Sequence, residues 1–246
     1  LKPYFAVYST FLQRAFDQAF QEVALQNLPV RLCLDRAGLV GGDGAVHHGF
    51  CDISLLRSLP NSILIAAIDE PSLQEGLQFM ATLNDSLSAI RYPRDSVSKR
   101  LEAAPCPPFI MGKARALHNC KNPSAAILAY GSLAIQSLET ADILATEIPI
   151  EVWDARFAKP VDEDLIKNLL NRKIPIITIE DHGLKGGFGS AVLEACNKLQ
   201  LDTRLVYRIG IPDRFIMHGS RNDQLDECGL TPSKIVQKIR KIVSSH

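Results

Sequence analysis

The chain has 246 residues, a length that allows two compact domains with a core each. Its 27 Lys and Arg residues balance 27 Asp and Glu residues, so the overall charge favours neither nucleic acid nor an anionic membrane as a partner. The six cysteines lack metal-ligand spacing, and no apolar run reaches the roughly 18 residues of a membrane helix. We expect a soluble protein with reduced thiols, in the cytoplasm or a plastid stroma.

The first ninety residues alternate between strand and helix patterns. Short apolar runs predict strands at residues 4–8, 30–34, 62–67 and 88–92. Helical apolar spacing is present at residues 12–25, 52–58 and 70–84. Asp69 would cap the last of these helices, and the alternation predicts a parallel sheet. No helix precedes the first strand to cover its face, so we expect this domain to be incomplete at its amino end.

The periodic pattern stops between Arg94 and Pro108, where charged residues and prolines accumulate. Because proline can continue neither a helix nor a central strand, residues 96–109 are predicted to link a first domain at 1–95 to a second at 110–246. The second domain is predicted to be α/β as well, with strands at residues 125–129, 150–153, 174–179 and 205–209. Its helices are predicted at residues 133–147, 162–171, 189–199 and 232–244.

The densest group of glycines and polar residues follows the strand at 30–34. Residues 35–49 contain five glycines, which permit positive φ angles and a close approach of the backbone to a ligand. The same segment holds Arg36, Asp43 and two histidines. Loops at the carboxyl ends of parallel strands form the ligand crevice of an α/β sheet, so the pattern favours a functional site. The alternative is a surface loop rich in turn-forming residues.

Two arginines and a histidine are the first candidates for chemistry in this crevice. Arg36 and Arg94, the latter just after a predicted strand, could each present a planar guanidinium to a phosphate or carboxylate. Each could equally be an ordinary ion-pair partner at the surface. His47 could exchange a proton with a reacting oxygen near neutral pH, whereas we expect its neighbour His48 to point elsewhere.

Aromatic residues stand where the first strand ends. Tyr8 and Phe11 could form a flat platform for a planar cofactor ring, although such residues are by default part of a core. Ser9 or Thr10 could cap the helix that follows. A second glycine-rich segment at 185–190 precedes a helix but lacks the Lys-Ser/Thr ending of a P-loop, so it is predicted to be a tight helix entry.

Six segments, in order along nearly the whole chain, together resemble the 1-deoxy-D-xylulose-5-phosphate synthases, a family of thiamine-diphosphate enzymes. Three are similar to the family's pyrimidine-binding domain, at residues 8–18, 35–47 and 91–94. Three are similar to its transketolase-type carboxy-terminal domain, at residues 154–162, 179–190 and 210–219. The resemblance implies two α/β domains, a truncated thiamine-pyrimidine-binding domain with a parallel sheet and a transketolase-type carboxy-terminal domain.

The family decarboxylates pyruvate on thiamine diphosphate and joins the remainder to glyceraldehyde 3-phosphate. Its product, 1-deoxy-D-xylulose 5-phosphate, is used for isoprenoid, thiamine and pyridoxal synthesis. The resemblance therefore implies a transferase that binds pyruvate, glyceraldehyde 3-phosphate, thiamine diphosphate and Mg²⁺.

The resemblance also assigns roles to residues. Arg36 and Arg94 correspond to arginines that hold the phosphate of the aldehyde substrate. Asp43 and His47 correspond to polar residues near the reactive carbon of the cofactor, and they are the candidate catalytic residues. The cofactor-binding candidates are Phe11, which corresponds to the aromatic residue stacked on the aminopyrimidine ring, together with its neighbours Tyr8 and Arg14.

Two departures from the family pattern fall inside the predicted site. Ala45 and Val46 stand where the family usually has Pro-Thr, and Asp95 stands where Gly usually follows the Arg-Tyr-Pro-Arg segment. An acidic residue beside a phosphate-binding arginine is expected to weaken anion affinity.

The family's catalytic Glu and its whole metal-binding and diphosphate-binding domain would precede Leu1. We therefore expect no metal ligands in this chain and only half of an active site. The other half would come from an amino-terminal segment or from the partner subunit of a homodimer, and the chain alone should bind the cofactor weakly.

Three alternative functions stay open. The chain could be the beta subunit of a 2-oxo-acid dehydrogenase, a separate chain with the same two domains, or part of a transketolase. It could also be a dimerisation module that has lost catalysis. The region from about Ile110 onward is expected to serve mainly assembly. In it, Glu180, Asp181 and His182 are predicted to follow a strand and to suit helix capping or a subunit contact as well as chemistry.

Overall fold

Two mainly parallel β-sheets flanked by helices organise the chain, and the computed structural model describes residues 1–244. The last two residues of the predicted second domain lie outside the described part. The first sheet has the strand order β1-β2-β4-β3-β8 and the second the order β10-β9-β6-β7-β5. The predicted α/β class with two sheet-containing units is therefore confirmed.

The strands are β1 (Tyr4–Tyr8), β2 (Arg31–Asp35), β3 (Ile63–Ala66), β4 (Ser88–Arg91), β5 (Arg115–His118), β6 (Ala125–Tyr130), β7 (Ile150–Asp154), β8 (Phe157–Lys159), β9 (Ile176–Gly183) and β10 (Val206–Ile211). The α-helices are α1 (Phe16–Gln18), α2 (Asp52–Arg57), α3 (Glu70–Thr82), α4 (Leu133–Leu144), α5 (Glu163–Asn171), α6 (Phe188–Lys198), α7 (Arg221–Cys228) and α8 (Pro232–Ser244). Among residues 1–244 no helix is both long and apolar enough to cross a membrane. All six cysteines are free thiols.

The register of the first sheet brings three chain segments to one edge. Strands β1 and β2 are parallel with Tyr8 opposite Asp35, and β2 and β4 are parallel with Leu34 opposite Arg91. Because parallel strands end at the same edge, the residues that follow each strand meet there. The segments that follow Tyr8, Asp35 and Arg91 are those that carry the predicted site residues.

The second half of the chain also adds a strand to the first sheet. Strand β8 pairs antiparallel with β3, with Phe157 opposite Ile65. Neither β8 nor the edge strand β5 was predicted from the sequence, because runs of three and four residues are too short to show an apolar period. One buried apolar cluster combines Leu64 of β3 with Leu128 of β6 and Phe188 of α6, so the two halves pack directly on each other.

The segment after β1 differs from the continuous helix predicted at 12–25. It consists of a 3₁₀ turn at Ser9–Ala15, the short helix α1 and a π-helical turn at Ala19–Ala24. Neither Ser9 nor Thr10 caps it, since both are buried and no side chain accepts a hydrogen bond from its first turn. The tighter 3₁₀ winding places residues three apart on the same side, which is how Tyr8 and Phe11 come to face each other.

Buried charged residues join the two halves behind the predicted site. Arg91 forms a two-point ion pair with Asp52, through Nε at 2.9 Å and a terminal nitrogen at 3.3 Å, and donates to the backbone oxygen of Asp181 at 3.0 Å. His182 lies beside this pair, with Nε2 3.8 Å from Asp52 Oδ1, and its ring is fully buried. A side chain without accessible surface in the single chain cannot touch a second subunit. The subunit contact predicted for His182 is therefore wrong, and strand β9 extends through residue 183 instead of ending before Glu180.

His182 should make the protein lose stability in acid. Burial lowers the pKa of His182 to about 4, with Arg91 reinforcing and Asp52 opposing the shift. An unfolded imidazole takes up a proton below its ordinary pKa of about 6.5, whereas the folded ring stays neutral, so falling pH favours the unfolded chain. The difference amounts to about 3 kcal/mol once the pH has passed both values.

Denaturant unfolding at about pH 7 and about pH 4.5 should therefore show a smaller loss of stability for His182→Asn than for the wild type. An equal loss in both proteins would mean that His182 takes up a proton in the folded state as readily as in the unfolded chain.

Candidate functional site

A glycine-rich loop follows β2 and closes on itself at its base. Gly38 and Gly49 exchange two backbone hydrogen bonds of 2.8 Å each, which fold residues 38–49 into a compact loop. Gly38 has a φ of +78°, and a Cβ there would lie 2.1 Å from the carboxylate of Asp181. Glycine is thus required at the base of the loop, where the second half of the chain approaches its backbone.

The predicted aromatic platform is present. The rings of Tyr8 and Phe11 are stacked, with centroids 5.5 Å apart and an interplanar angle of 9°. The guanidinium carbon of Arg14 lies 5.6 Å from the Phe11 centroid, and the ring of His47 meets Phe11 edge-on at 5.7 Å. The hydroxyl of Thr10 donates to the backbone oxygen of Val46 at 3.0 Å. Platform and glycine loop therefore form one surface.

Arg36 and Arg94 converge on one carboxylate. Arg36 Nε lies 3.5 Å from Asp43 Oδ2, and a terminal nitrogen of Arg94 lies 3.3 Å from Asp43 Oδ1. Arg36 also pairs with Asp35, and its guanidinium carbon lies 3.8 Å from the centroid of the Tyr8 ring. Although 58 residues separate them in sequence, the two arginines are close enough to share one bound oxyanion.

The two adjacent histidines have different environments. Nδ1 of His47 lies 2.8 Å from the backbone oxygen of Asp43. Since a carbonyl oxygen can only accept, Nδ1 carries the proton in this contact and Nε2 is the basic nitrogen of the neutral ring. His48 is buried instead, where its Nδ1 accepts from the backbone N–H of Val40 at 3.2 Å, and burial lowers its pKa. The prediction that His48 points away from the site is confirmed.

Asp95 was expected to weaken anion binding at Arg94, but in the structure it pairs with a different arginine. Its carboxylate lies 3.0 Å from a terminal nitrogen of Arg221, and Arg221 also pairs with Asp181 at 2.8 Å. The charge of Asp95 is therefore balanced from the second half of the chain, and the pair draws the segment after Arg94 toward helix α7.

Two residues of helix α7, Arg221 and Gln224, contact the glycine loop and were not predicted from the sequence. The helix had a detectable signal, because Ser220 is followed three residues later by Asp223 and Gly229 stands just past the end. In the structure the Ser220 hydroxyl accepts from the backbone N–H of Asp223, and Gly229 has a φ of +69°. The eight-residue helix contains too few apolar residues for a helical period to be visible.

The second glycine-rich segment, residues 185–190, is a helix entry as predicted. The carboxylate of Glu180 accepts from the backbone N–H groups of Phe188 and Gly189, at 2.6 and 2.8 Å. Burial raises the pKa of Glu180 to about 7, although the two N–H donors favour its charged form. The start of helix α6 is thus filled by a carboxylate of the chain itself, which confirms the predicted helix capping by the 180–182 segment.

Among residues 1–244 no three His, Cys, Asp or Glu side chains converge in a way that could hold a metal ion.

Models of known domains match both halves of the chain. The pyrimidine-binding domain of transketolase matches residues 1–99, and the carboxy-terminal domain of transketolase matches residues 112–235. The chain belongs to the transketolase family. Neither domain match includes residues 100–111. The division into 1–95, 96–109 and 110–246 stays a prediction.

Similar proteins of this family include curated synthases. The chain is 42% identical over 248 residues to the 1-deoxy-D-xylulose-5-phosphate synthase of Rhodopirellula baltica, covering 99% of this chain and 38% of that protein. It is 43% identical over 244 residues to the synthase of the same name from Acidobacterium capsulatum, covering 97% and 38%. The resemblance to this group is confirmed, and the chain spans 38% of the length of these relatives.

A solved structure is similar to nearly the whole of this chain. It is described as a split-gene transketolase in the form of an inactive β4 tetramer, with a TM-score of 0.86 and 26% sequence identity. The similarity covers 99% of this chain and 77% of that one.

Proposed function

We propose that this chain carries part of the active site of a 1-deoxy-D-xylulose-5-phosphate synthase. This enzyme would join pyruvate to glyceraldehyde 3-phosphate with release of CO₂, using thiamine diphosphate. The observation that carries the proposal is the convergence of Arg36 and Arg94 within 3.5 Å of one carboxylate, beside a stacked aromatic pair. Two guanidinium groups at that spacing suit a phosphate monoester, because each can donate to different oxygens of one group.

The residues at the end of β1 fit the pyrimidine ring of the cofactor. Phe11 and Tyr8 offer flat, partly exposed surfaces, and Arg14 adds a cation at the same place. When bound, thiamine diphosphate would supply the carbanion chemistry that removes CO₂ from pyruvate. We propose that Mg²⁺ and the diphosphate are held by residues outside this chain.

His47 would handle a proton in this scheme. Its hydrogen bond to the Asp43 backbone fixes the ring and leaves Nε2 able to accept. We propose that Nε2 holds or returns a proton at an oxygen of the donor or the acceptor substrate, next to the aromatic platform. Its edge-on contact with Phe11 keeps the imidazole at the platform.

Asp43 stands where an acceptor phosphate would bind. Its carboxylate partly neutralises both arginines, although its side chain is 30% exposed and that of Arg94 is 51% exposed. We propose that the substrate phosphate displaces this carboxylate from the arginines, and that Asp43 then lines the part of the site near the reacting carbons.

Asp43→Asn should therefore tighten the binding of inorganic phosphate to the 246-residue chain by about threefold to tenfold, because it removes a competing charge at a partly exposed site. The change can be followed by an NMR titration with phosphate. Asp213→Asn, which removes an exposed partner of Lys185, is the matched control and should leave the affinity unchanged. Weaker binding in Asp43→Asn would show that Asp43 supports the anion site instead of competing for it.

The other half of the site would come from an amino-terminal segment or a partner subunit. The similar split-gene transketolase, 77% of whose chain is covered by the similarity, is described as an inactive β4 tetramer. We propose that the present chain likewise needs the diphosphate-binding half before it can act.

An assembled enzyme tests the proposed reaction. This chain can be fused behind the amino-terminal part of the Rhodopirellula baltica synthase, the part that it does not match. We expect CO₂ release from pyruvate that depends on thiamine diphosphate and is coupled to consumption of glyceraldehyde 3-phosphate.

The same assay distinguishes the alternatives. Two-carbon transfer from a ketose phosphate without pyruvate would indicate a transketolase. Acyl transfer to a lipoyl group would indicate the beta subunit of a 2-oxo-acid dehydrogenase, and no reaction from a fusion that binds thiamine diphosphate would favour an assembly module.

A further inference from the structure

Helix α7, in the half of the chain expected to serve mainly assembly, holds two loops of the candidate site. We propose that Arg221 and Gln224 are positioning residues, which set the spacing between the glycine loop and Arg94. The inference deepens the proposed function and rests on it for the identity of the ligand as a phosphate-bearing substrate.

Gln224 binds the glycine loop through both ends of its amide. Its Oε1 accepts from the backbone N–H of Gly41 at 2.9 Å, and its Nε2 donates to the backbone oxygens of Gly41 at 3.2 Å and Met217 at 3.0 Å. The side chain is buried, with 1% of its surface exposed. Gly41 lies two residues before Asp43, so this clamp fixes the backbone that leads directly to the carboxylate between the arginines.

Arg221, one helical turn earlier on the same face, holds both loops at once. Its Nε donates to the backbone oxygen of Leu39 at 3.0 Å, and one terminal nitrogen lies 3.0 Å from the carboxylate of Asp95. Its other terminal nitrogen pairs with Asp181, whose second oxygen accepts from the backbone N–H of Leu39 at 3.1 Å. A single guanidinium thus connects the glycine loop to the residue directly after Arg94.

The fit of helix to loop is close. Gly41 has a φ of +68°, and a Cβ there would lie 3.1 Å from the backbone nitrogen of Arg221. Asp95 stands where the synthases that this chain resembles usually have glycine. Its carboxylate completes the connection between Arg221 and the segment after Arg94. The geometry therefore gives this chain a link between Arg94 and helix α7 that a glycine at 95 could not make.

The test compares variants of the 246-residue chain that are expected to stay folded. Gln224→Met keeps the volume of the side chain but loses its hydrogen bonds, and Arg221→Lys keeps a charge for Asp181 but loses the fork that reaches Leu39 and Asp95. Arg214→Met is the matched control. Arg214 precedes helix α7 and pairs with Glu227 on an exposed part of that helix.

Two readouts are needed. Hydrogen exchange of the backbone amides in residues 38–49 should accelerate by about tenfold in both variants, while exchange in helix α8 stays the same. The dissociation constant for inorganic phosphate should rise by about threefold to tenfold, and the control should match the wild type in both measurements.

Arg94→Gln in the same titration separates failure of this inference from failure of the proposed function. If Arg94→Gln weakens phosphate binding but folded Gln224→Met and Arg221→Lys bind like the wild type, the positioning role is overturned and the arginine site stands. If Arg94→Gln itself binds phosphate like the wild type, the proposed phosphate site is wrong, and unchanged exchange in the loop would then overturn the positioning role as well. An equal acceleration of exchange in residues 38–49 and in helix α8 would indicate a loss of global stability only and would also count against positioning.

Discussion

Replacing Arg91 with Met should lower the free energy of unfolding by about 3 to 5 kcal/mol, one of the largest effects expected in this chain. The change leaves the carboxylate of Asp52, 1% exposed, without its ion-pair partner in the interior. It also removes the donors to the backbone oxygens of Gly49 and Asp181, which lie in the two halves of the chain. Chemical denaturation monitored by circular dichroism measures the effect.

Two further variants test the cause. Arg240→Met breaks an ion pair with Glu147 in which both side chains are about half exposed, and it should cost less than about 1 kcal/mol. Combining Arg91→Met with Asp52→Leu removes the stranded charge and should recover part of the loss. A loss from Arg91→Met no larger than that from Arg240→Met would mean that Asp52 reaches solvent or another partner.

Replacing His47 with Ala in the fused enzyme should lower kcat by about a hundredfold or more, because proton transfer by a positioned imidazole acts in the transition state. The KM values for both substrates should change little, since His47 forms no part of the arginine pair. Steady-state kinetics measures both quantities.

His48→Asn is the matched control for this experiment. His48 is buried at the base of the loop and contacts Val40, so its replacement should act through stability and not through kcat per folded molecule. If His47→Ala retained kcat within about threefold, the imidazole would not be a proton-transfer group in this reaction.

The candidate site could be predicted from the sequence where its residues belong to a local sequence pattern. Glycine density marked the loop that holds Asp43 and His47, and the ends of predicted parallel strands marked Tyr8 and Arg94. Both signals depend on short stretches of chain, so they can be recognised without knowledge of the tertiary structure. The convergence of Arg36 and Arg94 then followed from strand register.

What the sequence did not show depends on contacts between distant segments. Gln224 meets Gly41 across 183 residues, and β8 joins a sheet whose other strands all end before residue 92. The sequence predicted that Asp95 would act on Arg94, its neighbour in the chain. The structure pairs the Asp95 carboxylate with Arg221 instead. The backbone after β1 also departs from the predicted regular helix, and in the structure this segment stacks Tyr8 on Phe11 and buries Ser9 and Thr10.

The kinetic response to Arg94→Ala in the fused enzyme tests the central claim most directly. If Arg36 and Arg94 hold the acceptor's phosphate, loss of one charge-assisted contact should raise the KM for glyceraldehyde 3-phosphate by about tenfold to a hundredfold. Pyruvate binding and decarboxylation should be largely spared when both substrates are varied. A rise in the KM for pyruvate alone, or no change in either KM, would contradict the assignment of Arg94 to the phosphate.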